Sequence, residues 1–70
     1  MLEEKQGTIA EIIFHNNENG YTVAVFETET EAFTAVGNIP SASVGRGYVL
    51  RGEFITHQTY GEQFSVKEFE

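Results

Sequence analysis

The chain has 70 residues and no Cys, so it fits one small domain without disulfides or thiolate metal sites, which suits a reducing cytosol. Eleven acidic residues, all Glu, outnumber four basic ones, which gives a net charge of −7. Because binding of DNA phosphates depends on Lys and Arg, we expect this domain alone to bind DNA weakly or not at all. The apolar runs are too short to cross a membrane and the polar start is not a secretory signal, so we expect a cytoplasmic protein with no membrane partner.

Five short runs rich in β-branched and aromatic residues predict strands over residues 5–14, 21–28, 33–39, 48–57 and 62–69. The first run has apolar residues at both parities, which predicts a long curved strand buried partly on both faces. Those residues are Ile9, Ile12, Ile13 and Phe14. Asn19-Gly20 predicts a hairpin loop before the second strand, and the polar residues 29–31 predict the turn into the third.

Pro40 and the Gly-rich residues after it predict a connection to the fourth strand that is too short for more than one helical turn. Alternation within the last two strands predicts which side chains face the core. These are Tyr48, Leu50, Gly52, Phe54, Phe64 and Val66. Gly52, in the middle of its strand, predicts a bulge or a tight bend.

A meander of three strands, a connection and a hairpin of two strands predict an all-β fold. We expect a small five-stranded OB-type barrel with little or no helix, which occupies residues 1–70 as a single domain. An SH3-like barrel is the main alternative, and the long first strand together with the break after the third favours the OB type. Both ends are rich in Glu, and we expect them to fray.

Residues suited to catalysis are scarce, since the chain has no Cys, no Asp and no Ser in a nucleophile-elbow motif. Gly45-Arg46-Gly47 is too short for a phosphate-binding loop. A metal site would have to use four residues whose spacing does not select them. They are His15, Glu18, His57 and Glu62. We therefore predict no catalytic, cofactor-binding or metal-binding residue in this domain.

Contact with a nucleic acid or a partner is one of two tasks open to a small group of polar and aromatic residues. They are Tyr21, His57, Tyr60, Gln63 and Lys67. OB barrels bind single strands with the face of strands two and three and the loops after strands one and four, where bases stack on aromatic rings. The alternative is structural: Tyr60 would plug the end of the barrel and Tyr21 would clamp the hairpin.

Apolar side chains predicted on the outer face could instead dock this domain onto another one. They are Val23, Val25, Val49 and Ile55.

Nearly the whole chain resembles the N-terminal OB-like domain of bacterial RecD-like DNA helicases, which are relatives of the exodeoxyribonuclease V alpha subunit. The similar segments are residues 7–28, 36–40, 44–52 and 52–70. The most specific patterns are NGYTV at 19–23 and HxxYGxQF at 57–64. Phe54 departs from the family, where Trp is common, but it remains aromatic.

The resemblance implies a superfamily I helicase that moves 5′ to 3′ along DNA, with ATP and Mg²⁺ bound by motor domains beyond residue 70. It implies that this chain is the excised N-terminal domain of that helicase, with no cofactor of its own. The rest of the helicase chain would be its partner, and DNA would be contacted through the parent protein. We expect a non-catalytic accessory domain that acts in interdomain packing or in the DNA path. The alternative is an independent module that binds single-stranded nucleic acid.

Overall fold

The computed structural model describes residues 2–70, which form five β-strands. The strands are β1 Glu3–His15, β2 Tyr21–Glu27, β3 Ala32–Asn38, β4 Gly47–His57 and β5 Gly61–Phe69. All five predicted strands are confirmed, with ends that differ by one or two residues at most. Residues 2–70 include no helix that could span a membrane.

The strands close into a barrel in the order β1-β2-β3-β5-β4. All neighbouring strands are antiparallel except β3 and β5, which are parallel and pair only at Ala35 with Phe64 and Val36 with Ser65. The first half of β1 pairs with β4 and the second half with β2, so one long strand closes the sheet on itself. This order confirms the predicted OB-type barrel.

Alternating side chains fill the barrel with one hydrophobic core, in which Phe26, Phe64 and Leu50 are fully buried. The inward set predicted for the last two strands is confirmed, because each of its members is either buried or packed against the core cluster. The rings of Phe33, Phe54 and Phe64 lie with their centroids 5.0–5.3 Å apart. Each such buried side chain stabilises the fold by about 1.5–3 kcal/mol.

The bulge that Gly52 predicts is present beside it, but the extra residue, Lys67, lies on β5 rather than on β4. The register between β4 and β5 shifts between Arg51 and Gly52. A Cβ at Gly52 would collide with the backbone carbonyl of Ser65 on the neighbouring strand. The close approach of two backbones therefore requires glycine here.

The prediction that β1 is buried on both faces is wrong. Ile9 and Ile12 face the core, but Ile13 and Phe14 are 56% and 52% exposed. Pairing with β2 shifts register between Ile9 and Glu11, and again between Ile12 and Phe14. Each bulge inserts one extra residue, so inward positions no longer follow a strict alternation along β1.

The prediction that the Glu-rich ends fray is also wrong for the described residues. Glu3 and Glu4 pair with β4, and the backbone of Glu70 exchanges two hydrogen bonds with Val49, at 2.9 and 3.0 Å. The Arg51 guanidinium lies within 4.0 Å of carboxylates from both ends of the chain. These backbone bonds and ion pairs hold both ends on the barrel.

Candidate functional site

A cleft of about 480 Å³ lies on the outside of the barrel, between the β1–β2 hairpin and the β4–β5 hairpin. We call it the aromatic cleft. It is lined by Ile13, Phe14, Tyr21, Val23, Thr34, His57, Tyr60 and Gln63. Four of the five predicted contact residues meet here, and the fifth, Lys67, does not line the cleft. Residues that are far apart in the chain therefore share one surface.

The first wall of the cleft is an aromatic pair on the β1–β2 hairpin. The rings of Phe14 and Tyr21 have centroids 6.4 Å apart, and Tyr21 is 40% exposed. The predicted hairpin loop is confirmed: Asn16 and Tyr21 are joined by a 2.8 Å backbone hydrogen bond. The Tyr21 N–H also donates to Asn19 Oδ1 at 2.9 Å. Tyr21 thus begins β2 in a well-held turn and still presents its ring to the cleft.

The second wall is a pair of rings from the β4–β5 hairpin. His57 and Tyr60 have ring centroids 4.9 Å apart with an interplanar angle of 35°. Tyr60 is 74% exposed, so the structural alternative in which it plugs the barrel end is wrong. Gly61 has φ +79°, a left-handed conformation that lets the chain turn directly into β5.

The floor of the cleft comes from the outer face of β2, β3 and β5. Ala35 and Phe64, which pair across the seam between β3 and β5, face the core, so the preceding Thr34 and Gln63 face outwards. Both are only partly exposed. Their hydroxyl and amide groups can donate and accept hydrogen bonds at the base of an otherwise apolar surface.

The lining of the aromatic cleft carries no carboxylate and no Lys or Arg, although the whole chain has 11 Glu residues and a net charge of −7. Glutamates would repel a phosphate backbone and cations would attract it. The lining does neither, so it suits a flat, uncharged ring better than an anion.

Two of the four cations are held by glutamates elsewhere. The Lys5 ammonium lies 2.7 Å from Glu31 and 3.8 Å from Glu3, and the hydrogen bond with Glu31 is the main reason why the Lys5 pKa is raised. A hydrogen bond with Glu70 likewise raises the pKa of Arg51. Neither cation is therefore available to a ligand without losing its present partners.

A second cavity, of about 880 Å³, lies where the start of β1 meets the β2–β3 turn. Its lining includes Glu4, Glu27, Glu29 and Glu31, so it is unsuited to an anionic ligand. Among residues 2–70, no three His, Cys, Asp or Glu side chains lie close enough together to hold a metal ion.

Four lining residues were absent from the predicted contact set: Ile13, Phe14, Val23 and Thr34. Ile13 and Phe14 were expected in a strand buried partly on both faces, and Val23 was expected on the outer face. The bulges of β1 leave Ile13 and Phe14 exposed. The position of Phe14 at the end of the first predicted strand, just before the hairpin that leads to Tyr21, was the one signal in the sequence that could have found it.

The comparisons with known proteins agree with the OB-type fold. The family model for the OB-fold domain of the ATP-dependent DNA helicase YrrC matches residues 2–70. YrrC is a RecD-like helicase, so the resemblance noted in the sequence is confirmed. No solved structure matches the chain. The chain belongs to the family of OB-fold domains of the ATP-dependent DNA helicase YrrC.

Proposed function

We propose that this chain is a non-catalytic accessory domain at the N-terminus of a DNA helicase, and that its aromatic cleft lines part of the path of a DNA single strand. One observation carries the proposal: the pairs Phe14–Tyr21 and His57–Tyr60 form two walls of one uncharged cleft. Every base presents a π-face, so such walls accept a single strand with little regard to sequence.

The chemistry of the cleft suits bases and leaves phosphates to another part of the protein. Stacking of one base on an aromatic side chain contributes about 1–3 kcal/mol. Gln63 and Thr34 offer hydrogen-bonding groups for base edges at the floor. Since no Lys or Arg lines the cleft, the rest of the helicase chain would neutralise the DNA backbone. The domain therefore acts as an accessory to a larger DNA-binding surface.

The energy source of the parent enzyme would also lie outside this domain. The helicase family implies ATP and Mg²⁺, but these residues do not fit a nucleotide site. Gly45-Arg46-Gly47, the one Gly-rich stretch with a cation, leads directly into β4, so no helix N-terminus is available for a phosphate. We propose that both groups bind the motor domains of the parent chain.

Tyr60→Ala in the helicase that carries this domain tests the proposal. We expect single-strand affinity to fall by about 5- to 100-fold, the equivalent of one lost stacking contact. The thermal midpoint should stay nearly unchanged, because Tyr60 is 74% exposed. Tyr60→Phe keeps the ring and should retain binding. Equal affinity for wild type and Tyr60→Ala would refute the role of the cleft.

A second candidate is an independent single-strand-binding module, which the meeting of four predicted contact residues in one cleft favours. Titration of the 70-residue chain with a labelled oligonucleotide at low and moderate salt separates the two. We expect no micromolar binding, because the net charge is −7. Micromolar affinity that weakens with salt and is lost in Tyr60→Ala would establish the independent module instead.

A further inference from the structure

We propose that His57 is the positioning residue of the aromatic cleft, and that a neutral imidazole is needed to hold Tyr60 in place. Its ring nitrogen would act as the acceptor that orders the β4–β5 turn, so acidification would loosen one wall of the cleft. The effect on DNA binding rests on the proposed function, whereas the effect on the turn does not.

The hydrogen bonds of the turn determine the proton position on His57. Its Nδ1 accepts from the backbone N–H groups of Thr59 and Tyr60, at 3.0 and 3.3 Å. A backbone N–H can only donate, so Nδ1 carries no proton and the proton of the neutral ring lies on Nε2. The ring also contacts the Tyr60 ring at 4.9 Å. One side chain therefore holds both the backbone and the ring of Tyr60.

Three other side chains in this protein cap a turn in the same way. Asn16 Oδ1 accepts from Glu18, two residues on, at 2.8 Å, and Asn19 does the same for Tyr21. Thr28 Oγ1 accepts from the N–H groups two and three residues on, as His57 does. Asn and Thr do not titrate in the neutral range, but imidazoles as a class gain a proton between about pH 5 and 8. Of these four capped turns, only the one at His57 can be opened by a proton.

The groups around His57 offer a cationic ring no compensation. The β1, β2, β3 and β5 side chains that line the cleft with it are uncharged, and the other titratable side chains of the lining are the phenols of Tyr21 and Tyr60. Within residues 2–70, no carboxylate lies within 4.0 Å of the His57 nitrogens. On β5, the exposed Glu62 lies opposite Thr56 in the strand register and does not line the cleft. Protonation would therefore put a hydrogen on Nδ1 that faces two N–H donors.

His15 supplies an internal contrast. Its Nδ1 lies 2.8 Å from Thr22 Oγ1, which in turn lies 3.0 and 3.2 Å from the carbonyl oxygens of Gly20 and Ile39. The single hydroxyl proton points to those carbonyls, so His15 Nδ1 donates. A protonated His15 keeps this hydrogen bond. Of the two histidines, only His57 should change its turn with pH.

Nitrogen-detected NMR of the 70-residue chain tests the turn directly. At about pH 8 we expect the Nε2–H tautomer for His57 and protected amides at Thr59 and Tyr60. At about pH 5, the acid end of the range in which imidazoles as a class gain a proton, protection at both amides should be lost after correction for intrinsic exchange. The Gly20 amide, in the hairpin next to His15, should not change. An Nδ1–H tautomer, or protection that does not vary with pH, would overturn the proposal.

Two variants extend the test to DNA binding by the helicase. Acidification to about pH 5 should weaken oligo-dT binding by the wild type by at least fivefold, the lower bound for one stacking contact. His57→Asn supplies an oxygen acceptor like that of Asn16 or Asn19, so its affinity should not depend on pH in this range. His57→Ala should bind weakly at both pH values.

Equal losses on acidification for the wild type and His57→Asn would refute the pH-dependent role. If none of the cleft variants changes the affinity for oligo-dT, the proposed function fails. The tautomer of His57 and the protection of the Thr59 and Tyr60 amides then still decide the role of His57 in the turn.

Discussion

Two surface regions of the barrel differ in the side chains that they expose. One is the aromatic cleft, and the other is the ion-pair side, where glutamates contact Lys5 and Arg51. On the ion-pair side, two cations are held by carboxylates from β1, the β2–β3 turn and the C-terminal end. The cleft has no such charge but exposes four rings. Arg51 thus joins the two ends of the chain, and aromatic side chains are left for a ligand.

The two regions also differ in what they contribute to stability. Exposed ion pairs stabilise a fold little, because water and salt already screen the charges. The exposed rings of the cleft bury little area and contribute little as well. Both regions therefore depend on the shared core around Phe64 and Leu50, and either can be altered by mutation without unfolding the barrel.

Gly52→Ala should have the largest effect, because it breaks both regions together. Gly52 is the bend of β4 between Arg51, on the ion-pair side, and His57, at the cleft. The added Cβ would collide with the Ser65 carbonyl, a backbone atom that cannot move away easily. We expect a loss of about 1–3 kcal/mol in the free energy of unfolding, measured by chemical denaturation.

Gly47→Ala is the matched control for that change. Its added Cβ would lie 3.8 Å from the nearest backbone atom, the carbonyl oxygen of Gly7, which is an ordinary contact. We expect a change within about 0.5 kcal/mol. Similar losses for Gly47→Ala and Gly52→Ala would show that the bulge does not require glycine.

Gln63→Lys should make the cleft resemble a conventional single-strand site by adding the cation that it lacks. One more positive charge near a phosphate should raise the affinity of the helicase for an oligonucleotide about fivefold at low salt. A plot of the logarithm of the binding constant against the logarithm of the salt concentration should become steeper by about 0.7. Val44→Lys, in the exposed connection before β4, changes the net charge equally but lies outside the cleft. Equal gains for both variants would mean that only the net charge matters.

Arg51→Met should have the smallest effect, a fall in the thermal midpoint of no more than about 5 °C that shrinks as salt is added. The hydrogen bond with Glu70 raises the pKa of Arg51. The ion pairs therefore stabilise the fold fully at any pH below the ordinary pKa of arginine, and this stabilisation is lost only when the pH rises through the raised pKa. Salt, rather than mild alkali, therefore weakens it. Lys67→Met, at an exposed position, is the control. A fall that does not depend on salt would show that Arg51 acts through packing.

Much of the fold could be predicted because its signals are local. Alternation placed Tyr48, Leu50 and Phe64 inside, and Asn19-Gly20 indicated the first hairpin, since each depends on neighbours in the chain. The exposure of Ile13 could not be predicted, because the bulge between Ile12 and Phe14 depends on how β1 and β2 pair. The candidate residues Tyr21, His57, Tyr60 and Gln63 could be chosen by type, but not shown to meet.

By itself the sequence determined an all-β barrel, a chain of strongly negative charge and a scarcity of catalytic side chains, because composition and short-range alternation suffice for these properties. Only the tertiary structure decided that Tyr60 is exposed rather than a plug, that Lys67 lies outside the cleft, and that both acidic ends are held on the sheet. These outcomes depend on closure of β1 onto β4 and on the short parallel seam of β3 and β5. Closure brings distant segments together through strand register, which no local pattern specifies.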